Sequence, residues 1–135
     1  MSTPLIERLA TAVQDSSQPV TDEDRADLAE FLPLARAHAR VAGIDFDETR
    51  SLALAVHALA FVRRVRTIEH LDPLDPELAG ELPSDRLAAA RTLIDTYCVP
   101  REFLAGDTEV LLLALHFEAA AQLQEQLQDQ STPQA

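Results

Sequence analysis

Between Thr21 and Gly43 the apolar residues Leu28, Phe31, Leu32, Ala35, Ala39 and Ala42 recur every three or four positions, the spacing of one buried stripe on an α-helix. Thr21 precedes Asp22, Glu23 and Asp24, so a hydroxyl acceptor and three negative charges stand where the free amides of a helix start favour them. Gly43 supplies the stop. The pattern then repeats: Leu52, Val56, Leu59 and Val62 predict a second helix from near Asp47 to about Thr67, antiparallel to the first around a turn at Gly43 to Phe46. A chain with only 3 glycines, whose apolar mass is mostly Ala and Leu, has little else to build with than helices.

The remaining segments read the same way. Leu5, Ile6, Leu9 and Val13 give Pro4 to Val13 the spacing of a short amphipathic helix, and the polar stretch from Gln14 to Val20 reads as a linker. Pro73, Pro76 and Pro83 allow one short helix, near Pro76 to Leu82. Ser84 is the expected cap of a helix running through Leu87, Ala90, Leu93 and Ile94 to about Cys98, with a break at Val99 and Pro100. A last helix is predicted from near Asp107 to about Leu127, grading into a polar tail that frays. The expected organisation is all-α: an N-terminal arm and linker over 1–20, one helical domain over 21–127 and a flexible polar tail over 128–135.

A formal charge of −12 repels phosphate backbones, and the densest basic run, Arg63, Arg64 and Arg66, is short and without aromatic residues, so no nucleic-acid partner is expected. Cys98 is the only cysteine, which rules out an internal disulfide and a multi-cysteine metal site. The longest apolar run, Val110 to Leu115, is far short of the roughly 20 residues of a membrane span. With no signal-like N-terminus, a cytoplasmic protein is expected.

Two histidines are the main candidates for chemistry. His57 lies mid-helix with Ala53 and Ala60 on its face, and Arg50 and Arg64 each stand seven residues away, so small neighbours leave the ring room while two guanidinium groups flank it. Such a setting suits an anion such as a phosphoryl group. The competing reading is a surface histidine between ordinary helix charges. His116 has Leu112, Leu113, Ala119 and Ala120 as helical neighbours, and a histidine there is read either as a core or crevice residue or, if its helix lies beside that of His57, as the second half of one crevice. His38 and His70 read as solvated surface residues. Glu69, His70 and Asp72 lack the spacing of a metal motif, and a clustered use of His57, His116 and Glu109 by a small enzyme or metal protein ranks last. No nucleophile elbow, phosphate-binding loop or dinucleotide fingerprint is present, so no cofactor and no enzymatic activity is expected.

The order of residues around the two histidines carries a resemblance. Gly43-Ile-Asp-Phe-Asp-Glu-Thr-Arg-Ser-Leu-Ala-Leu-Ala-Val-His57-Ala-Leu-Ala-Phe61 resembles the first-histidine region of PTS regulation domains (PRDs), the helical modules of sugar-responsive bacterial antiterminators and activators. Ala105-Gly-Asp-Thr-Glu109-Val-Leu-Leu-Leu-Ala-Leu-His116-Phe-Glu-Ala-Ala resembles the second-histidine region, where acidic residues precede an apolar run ending in Ala-Leu-His. Val56 stands where the family commonly has an aspartate, and the prolines replace a longer third helix. The resemblance, over roughly Thr21 to Gln126, implies a five-helix bundle that dimerises. It also implies His57 and His116 as phosphoacceptors for phosphotransferase-system phosphocarrier proteins, with Arg50, Arg64 and Glu109 as phosphate or partner contacts. Since few residues precede the bundle, a stand-alone regulatory module acting through a separate output protein is expected. The alternative is a non-phosphorylated adaptor or structural dimer that retains the fold.

Overall fold

A computed structural model describes residues 3–14, 16 and 18–131 of the chain. Six α-helices follow one another: α1 (Thr3–Ala12), α2 (Asp22–Val41), α3 (Glu48–Thr67), α4 (Pro76–Gly80), α5 (Ser84–Cys98) and α6 (Asp107–Ser131). A single 3-10 turn, Val99–Arg101, leads out of α5, and no strand occurs among the described residues. None of the helices is long and apolar enough to cross a membrane.

Thr21 opens α2 with a reciprocal cap: its hydroxyl accepts the Asp24 amide, and the Asp24 carboxylate accepts the Thr21 amide. At the other end Gly43, with φ of 77°, lets the chain reverse. The Gly43 amide donates to the Arg40 carbonyl and the Ile44 amide to that of Ala39, which occupies the last free carbonyls of the helix and drops Ile44 into the core. Asp47 then caps α3 by accepting the Arg50 amide. The same double closure ends α3 at Ile68, through the Ile68 amide to Val65 and the Glu69 amide to Arg64. Here the left-handed position, φ of 57°, is held by a β-branched residue that strains to adopt it.

Packing places α3 at the centre, against α1, α2 and α6, while α5 bridges α2 and α6. Phe31, Phe61 and Tyr97 meet where α2, α3 and α5 converge, with ring centroids 5.1 to 5.8 Å apart. Burial raises the Tyr97 hydroxyl to about 12, and the Arg101 guanidinium lies over its ring, 3.7 Å from the centroid.

Three features depart from the sequence expectation. The arm expected over 1–20 is part of the bundle: Leu5, Ile6 and Leu9 of α1 belong to the same core as α2 and α3, so the core is built by five helices, α1, α2, α3, α5 and α6, and begins well before Thr21, while the short α4 buries none of its residues. Ser84 is the first helical residue and not the cap; the chain enters α5 through Pro83, with no side-chain cap bond. The last helix continues past Leu127 to Ser131, because glutamine, glutamate and leucine are good helix formers and no breaker intervenes. Of the tail expected over 128–135, residues 132–135 lie outside the described residues. Pro33 sits inside α2 at an exposed position, and the helix runs through it as expected.

Candidate functional site

Helices α3 and α6 run antiparallel, and their contacts fall into rungs. Phe46, Arg50, Leu123 and Leu127 line one end of the groove; His57 and His116 meet in the middle; Arg64 and Glu109 meet at the far end. Arg50, His57 and Arg64 are seven residues apart, and so are His116 and Glu109, so each rung lies two turns, about 10.5 Å, from the next. A seven-residue step on both helices keeps these side chains on the seam between them.

At the central rung the two imidazoles lie with ring centroids 4.9 Å apart and planes inclined by 30°. Both are half-buried. Burial, the neighbouring His116 and the Arg64 charge push His57 down to about 4, from an ordinary value of 6.5. Burial and the Arg50 charge push His116 below its ordinary value as well. Both rings are therefore neutral near pH 7, each with a ring-nitrogen lone pair free to act as a nucleophile or hydrogen-bond acceptor. The His38 ring, in contrast, is bound to the Leu34 carbonyl at 2.9 Å, and His70 stacks on Phe103 with centroids 4.8 Å apart. Of the four histidines, only His57 and His116 lie against each other.

The outer rungs differ. Arg64 grips Glu109 with two parallel hydrogen bonds of 2.7 Å, and the Glu109 side chain is 3% exposed. Both Glu109 oxygens are thereby committed. Arg50 shares its end of the groove with Asp45 and Asp47 but closes no ion pair, and its buried Nε finds no acceptor among the described residues. Its end of the groove is fastened by Gln124, whose side chain accepts the Asp45 amide at 3.0 Å and donates to the Gly43 carbonyl at 3.1 Å. Gln124 was not among the sequence candidates; its signal, a polar residue one turn beyond Ala120 on the groove side, is weak.

The basic run Arg63, Arg64 and Arg66 is absorbed internally. Arg63 and Arg66 converge on the fully buried Asp24, with closest contacts of 2.7 Å each, and Arg66 also pairs with Asp27 at 2.6 Å. Burial alone would raise the Asp24 carboxyl, but hydrogen bonds from Arg63, the Thr21 amide and Arg66 outweigh it and hold the group far below the ordinary carboxylate range. An acid expected only to favour the start of α2 is thus also the anchor between α2 and α3.

Among the described residues no three His, Cys, Asp or Glu side chains converge as ligands for a metal ion. Cys98 is buried, and burial pushes its thiol up to about 11, away from the reactive thiolate. The chain matches no protein-family model, no curated protein and no solved structure.

Proposed function

We propose that the chain is a regulatory module resembling PTS regulation domains, in which the His57 and His116 pair receives a phosphoryl group from a phosphotransferase-system phosphocarrier and passes the change on through protein contacts. The observation that carries this reading is the close pair of imidazoles, with Arg50, a partly buried cation that closes no ion pair among the described residues, one rung away on the His116 side. A ring nitrogen of the pair attacks the phosphorus of a donor phosphohistidine. The new N–P bond forms as the donor's N–P bond breaks, its electron pair returns to the donor ring, and the acceptor ring's N–H proton passes to that ring directly or through water. Arg50 suits the arriving oxygens. Arg64, already paired, is the less available of the two.

The test is incubation with phosphoenolpyruvate and phosphotransferase relay proteins, followed by analysis for acid-labile phosphate on the wild type and on His57→Ala and His116→Ala. Label on the wild type that is lost from one or both variants is expected. No phosphohistidine with any relay protein would remove the acceptor reading.

A second reading, a non-phosphorylated adaptor or homodimer of the same fold, is favoured by exposed apolar side chains on the two histidine-bearing helices. Val56 of α3 and Leu115 of α6 are 48% and 44% exposed, apolar surface suited to contact with a protein. A partner whose binding ignores both histidine substitutions would select it.

A further inference from the structure

The proline-rich segment between α3 and α5 does not close onto the core. Together with α5 and the start of α6 it encloses an open cavity of about 670 Å³, lined by Leu71, Leu74, Ala79, Leu87, Val110 and Leu111. That volume lies within the roughly 300–1,000 Å³ of pockets that bind ligands. No residue of the histidine pair lines it. Leu71, Leu74 and Leu78 remain 37%, 40% and 38% exposed, which sets them apart from the core leucines, while Leu111 at the cavity floor is buried.

The rim is acidic. From Glu69 to Asp85 the chain carries six carboxylates, Glu69, Asp72, Asp75, Glu77, Glu81 and Asp85, and no basic residue but His70. Asp85 pairs with Arg86; the other five have no arginine among the described residues. Arg91, which also lines the cavity, spends its charge on Asp107 at 2.8 Å and Asp95 at 3.6 Å. The wall is fixed by contacts of its own: Thr108 donates to the Asp72 carbonyl at 3.0 Å, His70 stacks on the buried Phe103, and Pro73 and Pro76 restrict the backbone between them. A preformed apolar slot with an unneutralised acidic border is complementary to a helix bearing leucine-like side chains on one face and cations beside them.

We propose that this cavity and its rim dock a basic amphipathic helix of a partner protein. Apolar side chains enter between Leu71, Leu74 and Leu111, and Lys or Arg side chains meet Asp75 at the cavity and the unpaired Asp72, Glu77 and Glu81 of the same wall segment. The docking does not depend on histidine chemistry.

The probe is a fluorescent Leu/Lys peptide of about four helical turns, with leucines on one helical face, measured by anisotropy against a scrambled peptide of the same composition. Wild-type protein is expected to bind the amphipathic peptide saturably, and Leu74→Asp to weaken it at least about tenfold. The added carboxylate would strengthen a purely ionic association, so its sign is diagnostic. Ala79→Trp, which fills the cavity without changing charge, is expected to weaken binding too. Helix content by circular dichroism verifies both folds, and His57→Ala and His116→Ala should bind as the wild type does. Equal affinity for the scrambled peptide, or undiminished affinity in both folded cavity variants, would overturn the proposal. So would amide shifts on peptide binding centred away from the cavity. Self-association of the protein alone that Leu74→Asp abolishes would assign the face to a second copy and also overturn it.

Discussion

Arg50 and Arg64 stand seven residues to either side of His57 on the same seam of α3, yet they end in opposite circumstances. Arg64 finds the buried Glu109 across the groove and closes a two-point ion pair; Arg50 shares its end of the groove with Leu123, Gln124, Leu127 and the carboxylates of Asp45 and Asp47, yet its guanidinium closes no ion pair among the described residues. In a chain with 23 acidic and 11 basic residues an arginine without a carboxylate partner runs against the odds. The difference separates a structural cation from an available one. Arg64 holds α6 in register against α3, whereas Arg50 leaves charge directed toward His116.

The sharpest way to break this comparison is to remove the acid. Glu109→Ala strands the Arg64 guanidinium in a site where its side chain is 15% exposed. Losing one partner of a buried pair costs about 3–5 kcal/mol, so a large drop in the urea midpoint is expected. Arg64→Met together with Glu109→Leu should recover much of that loss. If Glu109→Ala costs no more than a surface substitution, the two rungs are equivalent and the contrast fails.

The next effect is pH-dependent. With His57 held down to about 4, the folded state resists a proton that the unfolded chain accepts at about 6.5. Stability is therefore full above pH 6.5 and declines as pH falls from 6.5 toward 4, by on the order of 1–3 kcal/mol. His57→Gln should flatten that decline. The ring titrations sharpen the comparison: Arg64→Gln should raise the midpoint of His57, and Arg50→Gln that of His116, because each arginine bears on a different ring. Proton NMR of the two imidazoles reads both. A His57 midpoint at its ordinary value in the wild type would show that the rings are not desolvated.

Much of this arrangement is legible in local sequence, and what is not has a common cause. Thr21, Gly43 and Asp47 mark their helix ends because caps and left-handed turns are settled by residues within a few positions. The meeting of His57 with His116 follows once the two helices are set side by side. The Arg64 and Glu109 pair was within reach too: both residues stand seven positions from their histidines, in opposite chain directions, as an antiparallel seam requires. Each was instead expected to serve a phosphate or a partner, because spacing along one helix says nothing of the partner across it. The same gap hid Asp24, whose place in the first turn is local but whose arginines come from 39 and 42 residues away. It also hid the docking of α1, since an amphipathic stripe shows that a face is buried but not against what. The extension of the last helix from Leu127 to Ser131 has another reason: a polar composition does not exclude a helix where glutamine and glutamate are good helix formers.

Smaller effects belong to the Arg50 end. Gln124→Ala removes two neutral hydrogen bonds to the turn between α2 and α3, each worth about 1 kcal/mol at most in this partly exposed setting. A cost of about 1 kcal/mol is expected, well below that of Glu109→Ala. Faster amide exchange at Asp45 should accompany it, while the Arg64 end keeps its protection. Exchange that rises equally at both ends would mean that the groove opens as one unit and that the rungs are not independently held.

The smallest change in stability is expected from the residue of greatest functional interest. Arg50→Gln breaks no ion pair among the described residues and leaves the cap on Asp47 intact, because that cap uses the backbone amide. The urea midpoint should move by no more than about 0.5 kcal/mol equivalent, in either direction. Removing the cation also relieves His116, so the variant should hold its stability slightly better below pH 6.5. Phosphoryl transfer, if Arg50 receives the arriving oxygens, should fall while the fold stays intact; Arg50→Lys, which restores charge without the planar fork, should recover only part of it. A variant that loses stability as Glu109→Ala does would make Arg50 a structural cation after all, and the asymmetry between the two arginines would no longer point to an anion.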